Sequence, residues 1–162
     1  GEASYKYIMK AIDLAMDGRV DGVVTGPIHK EAIHLAGVPH PGHTEMFAAR
    51  TGVKKYAMML LHGDFRVSHV STHVSLREAC DRVKKERVLE TIMLTWDALL
   101  ELGVKDPTVA VAGLNPHAGE DGLFGNEEVL EIAPAVEEAR KRGINIEGPI
   151  PPDTVFAKAL GM

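Results

Sequence analysis

Apolar positions along the chain switch repeatedly between helical and strand-like spacing. From Ser4 to Asp17, Ile8, Ile12 and Ala15 fall on one helical face, and Gly18 follows where a left-handed residue commonly ends a helix. VDGVVTGP, residues 20–27, predicts a buried strand that ends in a turn. Ile28 to Ala36 predicts a short helix closed by Gly37, and GVPHPGHTE predicts a rigid loop that feeds a helix from Thr44 to Arg50, stopped by Gly52. YAMMLLHGDFRVSHVSTH predicts two antiparallel strands about Gly63-Asp64. Ser75 and Glu78 have capping-box spacing, and the helix they open is expected to run to Leu102, with Val88, Ile92, Trp96 and Leu99 as its core stripe. TVAVAGL is the next predicted strand, Asn126 to Arg142 the next helix despite Pro134, and INIEGP the last clear strand. DTVFAKALGM starts a further helix.

This alternation predicts an α/β fold, a mixed and mainly parallel sheet flanked by helices, with residues 1–162 as one α/β segment. The chain begins without Met inside a helix and ends soon after another helix begins, so a segment of a longer protein is expected.

Composition narrows the function classes. The 162 residues are 45% hydrophobic and 25% charged, enough for a globular core of ordinary size. A net charge of -5 without a Lys/Arg cluster interleaved with aromatics argues against nucleic acid as a partner. No apolar run has the length of a membrane span, and the single Cys80 excludes an internal disulfide, so a soluble cytoplasmic protein is expected.

Eight histidines is a high count for this length, and several sit beside Gly, Pro or Thr. Thr25-Gly26-Pro27, His73, Asn115-Pro116-His117 and Asp153 each follow a predicted strand, and in open α/β sheets ligands bind outside the carboxyl ends of strands. These residues are therefore expected to cluster. His73 and His117 suit a divalent metal such as zinc; the alternative, the commoner role of a lone histidine, is that each imidazole only bonds a loop carbonyl. No HExxH or CxxC supplies an obvious third ligand. In GHTE, His43 and Thr44 open a helix whose free N–H groups suit a phosphate or carboxylate; the alternative is a Thr44 cap beside an exposed His43. Lys30, in TGPIHK, could meet an anion or be a solvated helix lysine. His29, His34, His40, His62 and His69 read as structural, Cys80 and Met58-Met59 as core, and DRVKKER as a solvated helix face.

Taken together, TGPIHK, GHTE, STHVSLR, LNPHAGEDGLFGNEE and GPIPPDTVF, in that order and spacing, resemble the PdxA family, 4-hydroxythreonine-4-phosphate dehydrogenases of pyridoxal phosphate (pyridoxine) biosynthesis. The resemblance covers essentially the whole chain. It implies an NAD-dependent (or NADP-dependent) oxidoreductase, a homodimer, and two α/β lobes related in fold to isocitrate and isopropylmalate dehydrogenases. By resemblance His43 and Thr44 match a substrate-binding pair, His73 and His117 match two of three divalent-metal histidines (zinc, magnesium or cobalt), and Asp153 matches a substrate-facing acid. The third histidine belongs to a later HDQG-like motif, and a GDPaGIGPE-like motif precedes this region in the family. Neither is present here, as expected for a central segment of a chain about twice as long.

The implied chemistry is oxidation of the C3 hydroxyl of 4-phosphohydroxy-L-threonine, followed by decarboxylation. Asp153 would take the hydroxyl proton or orient the substrate, and Lys30 would stabilise developing charge. No GxGxxG follows a strand, so the nucleotide is not expected in Rossmann fashion, and no residue here is assigned to it. One alternative substrate is 4-phospho-D-threonate or 4-phospho-D-erythronate from sugar-acid catabolism, which HVSTHVSLREACDRV resembles slightly more closely. Another class is a non-catalytic dimerising or phosphate-binding segment. A metal-dependent phosphohydrolase would need more carboxylates than Glu120 and Asp121. A site shared across a two-fold dimer is also implied, and His73, just beyond the predicted hairpin, is expected to be the histidine given by the partner. Met58 to Leu61, expected to be buried on both faces, adds pressure toward association.

Overall fold

The computed structural model describes residues 1–160, so Gly161 and Met162 of the predicted last helix lie outside the described residues. The chain divides into two compact units, Gly1–Tyr56 and Ala57–Met162, and the buried apolar residues form one cluster in each.

In the first unit the helical spacing is realised as α1, Glu2–Met16, which buries Ile8 and Ile12. Those side chains meet Ile33 from α2, Lys30–Leu35, and Met46 from α3, His43–Thr51, with Val38 between them. The glycines end the helices where expected, Gly37 at φ 74° and Gly52 at φ 73°, a left-handed conformation that costs glycine little. His29 has the structural role expected of it, since its Nδ1 accepts from the Ala32 N–H and caps α2. Residues 20–27 are not the predicted buried strand. They form no regular element and Val24 is fully exposed, because a strand needs a ladder partner and none of the described residues pairs with this segment.

The second unit opens with the predicted hairpin, β1 (Met58–His62) antiparallel to β2 (Phe65–His69), with His62 opposite Phe65 across the turn. β1 is not buried on both faces: Met58 and Met59 are half-buried, while Leu60 and Leu61 are exposed. Ser75 caps α4, Leu76–Asp81, accepting from the Glu78 N–H as its spacing predicted. The Glu78 carboxylate pairs with Arg82 instead of completing the capping box. Cys80 is exposed on this helix and not in the core.

The long predicted helix is two. α5, Lys85–Glu101, begins afresh after Lys84 adopts an extended conformation, and the Glu131 carboxylate accepts from the Lys85 N–H at 2.8 Å, serving as a cap supplied from a distant element. Val88, Ile92 and Leu99 form the buried stripe with Trp96 packed against it. β3 (Val109–Ala112) runs parallel to β4 (Ile146–Ile150), and the helix between them is not uniform. Glu128–Ile132 is a π-helical turn, followed by α6, Ala133–Lys141, with Pro134 in its first turn. Proline has no N–H to give the preceding turn, and the wider π turn accommodates that loss. α7, Val155–Ala159, closes the described chain.

The architecture is α/β, but the expected single mixed sheet is two separate two-stranded sheets, one antiparallel and one parallel. The hairpin is joined by its turn and the parallel pair by the α6 crossover. No described strand bridges them, and α5 packs against both β2 and β3 instead. A cavity of about 640 Å³ lies in this unit, lined by apolar side chains such as Phe65, Ile92, Val109 and Phe156; His73, His117 and Asp153 do not line it. Among the described residues no helix is long and apolar enough to cross a membrane.

Candidate functional site

The parallel pair aims two of the predicted residues to one end of its sheet. β3 and β4 finish side by side, and the Gly113 N–H donates to the Ile150 carbonyl at 2.7 Å where both chains leave the sheet. From there one chain leads to His117 and the other, through Pro151-Pro152, to Asp153. The Pro151 carbonyl accepts from the Thr154 and Val155 N–H groups, a tight turn that leaves Asp153 exposed before α7.

The segment carrying His117 is a left-handed turn. His117, Ala118, Gly119, Glu120 and Asp121 have φ values of 54°, 53°, 78°, 44° and 55° in succession. Only glycine adopts this conformation without penalty; other residues lose about 1–2 kcal/mol each. Such strain persists only where surrounding structure enforces it, and it concentrates at functional sites.

Glu128 binds the two residues that lead into this turn. Its side chain is 2% exposed, and Oε1 accepts from the Leu114 and Asn115 N–H groups, both at 2.7 Å, while Oε2 accepts from Asn115 Nδ2 at 2.9 Å. Asn115 Nδ2 donates also to Glu127 Oε2 at 2.8 Å. Burial by itself would raise the carboxyl pKa of Glu128. The donations from the Asn115 backbone and side chain, from its own N–H and from Leu114 outweigh burial and hold it below the usual carboxylate range. Glu128 was not legible as a site residue, since it sits in the acidic run of NEEVLE. The available signal was its spacing: it lies four before Ile132 on the stripe that continues through Ala135, Val136 and Ala139, all buried.

His73 follows β2. Arg87 of α5 donates from Nε to the Val70 carbonyl at 2.9 Å, which fixes the chain as it leaves that strand. His73 then takes φ 57°, so both candidate metal histidines hold left-handed backbone conformations, and both are exposed. The His117 ring lies against Phe124, centroids 6.1 Å apart. No group of three or more His, Cys, Asp or Glu side chains gathers as a metal cage among the described residues. Imidazole suits a borderline-soft divalent ion in donor type.

The remaining predicted residues belong to the first unit. Thr25-Gly26-Pro27 lie in the irregular segment and follow no strand, contrary to expectation. Lys30 is the first residue of α2 and exposed. α3 begins at His43, so Thr44 is inside the first turn and not its cap; Gly42 is the cap and gives no side-chain hydrogen bond. His43 and Thr44 are half-buried, and His43 Nε2 and Glu45 Oε2 are buried with no hydrogen-bond partner among the described residues. A helix start that keeps its N–H groups uncapped beside such atoms is suited to a polar ligand.

Three comparisons bear on this geometry. The profile of the family described as "Pyridoxal phosphate biosynthetic protein PdxA" matches residues 1–161. D-threonate 4-phosphate dehydrogenase of Pectobacterium atrosepticum is 47% identical over 160 residues, 98% of this chain and 49% of that protein. The crystal structure of 4-hydroxythreonine-4-phosphate dehydrogenase from Klebsiella pneumoniae superposes with a TM-score of 0.87 at 44% identity, over 96% of this chain and 47% of that one. A terephthalate 1,2-cis-dihydrodiol dehydrogenase from Burkholderia xenovorans gives 0.72 at 29% identity, over 96% and 50%. The chain spans about half the length of the relatives it matches.

Proposed function

The chain belongs to the PdxA family, and on that premise we propose that the complete protein oxidises the C3 hydroxyl of a four-carbon, 4-phosphorylated hydroxy acid. The observation that carries this reading is the pair His73 and His117, both on left-handed backbone after strands. They would hold a divalent ion such as zinc, magnesium or cobalt, with a further ligand from outside this chain. When bound, the ion supplies Lewis-acid activation of the hydroxyl and NAD or NADP supplies a hydride acceptor.

Asp153, exposed on its tight turn, takes the hydroxyl proton or orients the hydroxyl. Lys30 offers a cation to the charge that develops. Oxidation at C3 leaves a ketone β to the carboxylate, so the C1–C2 bond can break with its electrons flowing toward the new carbonyl and carbon dioxide departing. His43 and Thr44 bind the phosphate or carboxylate at the uncapped start of α3. Thr44→Ala is expected to raise KM for the phosphorylated acid about tenfold, the scale of one hydrogen bond to a charged group, with metal content unchanged. Substrate binding indifferent to both His43→Ala and Thr44→Ala would leave this segment only a helix start.

Two acids are carried forward, differing at C2: 4-phosphohydroxy-L-threonine with an amino group, and 4-phospho-D-threonate with a hydroxyl. The 47% identity to the Pectobacterium D-threonate enzyme supports the second beside the first. NADH formation by the complete protein separates them: each acid, and 4-phospho-D-erythronate, is offered with NAD and a divalent ion. Turnover with one of them, absent for its dephosphorylated form, is expected. No turnover with any would favour a non-catalytic, phosphate-binding or dimerising role.

A further inference from the structure

Glu128 is the one charged residue buried among the described residues, and the proposed reaction gives it no task. Its bonds do not knit the core together. All the side-chain acceptances described above go to Leu114 and Asn115, the two residues that lead into Pro116-His117. The loop is also shaped around the carboxylate. A Cβ on Gly119 would stand 2.7 Å from Glu128 Oε2, and one on Gly113 would stand 3.2 Å from Oε1 and 3.0 Å from the Ala118 Cα. Gly119 therefore needs glycine for the turn to close over the carboxylate, and again for its φ of 78°, while a side chain at Gly113 would press on the turn and the carboxylate.

We propose that Glu128 is a positioning residue: its carboxylate holds the left-handed turn 117–121 in place and so sets where the His117 imidazole stands. The inference rests on the reading of His117 as a metal ligand. Without the carboxylate the Leu114 and Asn115 N–H groups lose their acceptor, the Asn115 side chain keeps only Glu127, and the strained turn is left with its own backbone bonds, such as those from the Ala118 N–H to the Asn115 carbonyl and from the Phe124 N–H to the Gly119 carbonyl. Outer groups that orient a metal ligand typically govern affinity by 10- to 100-fold.

The test uses the complete protein and Co²⁺ alone, followed by its visible absorption, together with amide exchange over residues 114–124. Glu128→Gln keeps the shape and an oxygen for the two backbone donors but sets an amide NH₂ against Asn115 Nδ2. It is expected to weaken Co²⁺ about tenfold, and Glu128→Ala about a hundredfold. In both, exchange quickens in 114–124 and stays unchanged in α5 and α6. For Glu128→Gln with the phosphorylated acid, kcat is expected to fall with KM nearly constant. His117→Ala separates the two ideas. If it abolishes Co²⁺ binding while both Glu128 variants bind Co²⁺ like wild type, the positioning role is overturned and the metal reading stands. If His117→Ala binds Co²⁺ normally, the metal reading fails, and exchange decides the rest: unchanged protection of 114–124 in Glu128→Gln overturns the positioning role, and quickened exchange upholds it. Should Glu128→Ala not fold, Glu128→Gln gives the same decision.

Discussion

His117→Ala and His73→Ala, each in the complete protein, are expected to lose the bound divalent ion and nearly all turnover. Lewis-acid stabilisation is worth several kcal/mol, and each 1.4 kcal/mol is a factor of ten, so the fall in kcat should reach about a thousandfold. Alanine is the informative replacement at 117. Its neighbour Ala118 already adopts φ 53°, close to the 54° of His117, so an alanine there meets the same backbone demand and removes only the imidazole. Glycine would relax the turn as well and confuse two effects. Metal content after dialysis and the NADH assay are measured on the same preparations. Variants that each keep wild-type metal and wild-type turnover would sink the assignment of both histidines. Loss of turnover with metal retained would move that histidine from ligand to substrate contact.

Local chemistry made much of this chain readable. Gly18, Gly37 and Gly52 end helices at left-handed φ, Ser75 caps α4, and Gly63-Asp64 joins the hairpin strands, because each is settled by residues adjacent in sequence. What escaped was settled from a distance. The apolar period runs unbroken through Val83 and Val88, yet the helix restarts at Lys85 because Glu131 caps it from another element. VDGVVTGP has the composition of a buried strand, but strand formation is a property of pairs, and no described segment pairs with it. His117 was visible as a histidine in a glycine-rich loop after a strand; the left-handed turn that presents it was not. Its cause, Glu128, looks in sequence like any acid near a helix start, and only its burial and its bonds to Leu114 and Asn115 distinguish it.

A two-fold dimer that shares its sites makes the second large prediction. We propose that each site takes His117 from one chain and His73 from the other. Beside the family resemblance, the surface near His117 favours a covering partner: Leu123, Phe124, Val129 and Leu130 are all exposed, and so are Leu60 and Leu61 on the hairpin that precedes His73. Apolar side chains concentrated this way are typical of surfaces that bind another protein. An isologous contact would place the same patch on both chains and so create two identical sites. Inactive complete variants His73→Ala and His117→Ala are then mixed after reversible dissociation. In a mixed dimer both lesions fall in one site and the other is intact, so random pairing should restore roughly a quarter of wild-type turnover. Metal content should return in the same proportion, and each variant dissociated and re-associated alone gives the background from contaminating wild type. If mixed dimers form, as shown by native mass spectrometry, and neither metal nor turnover returns, both histidines serve the same chain's site and the exposed patches near His117 and on the hairpin need another occupant.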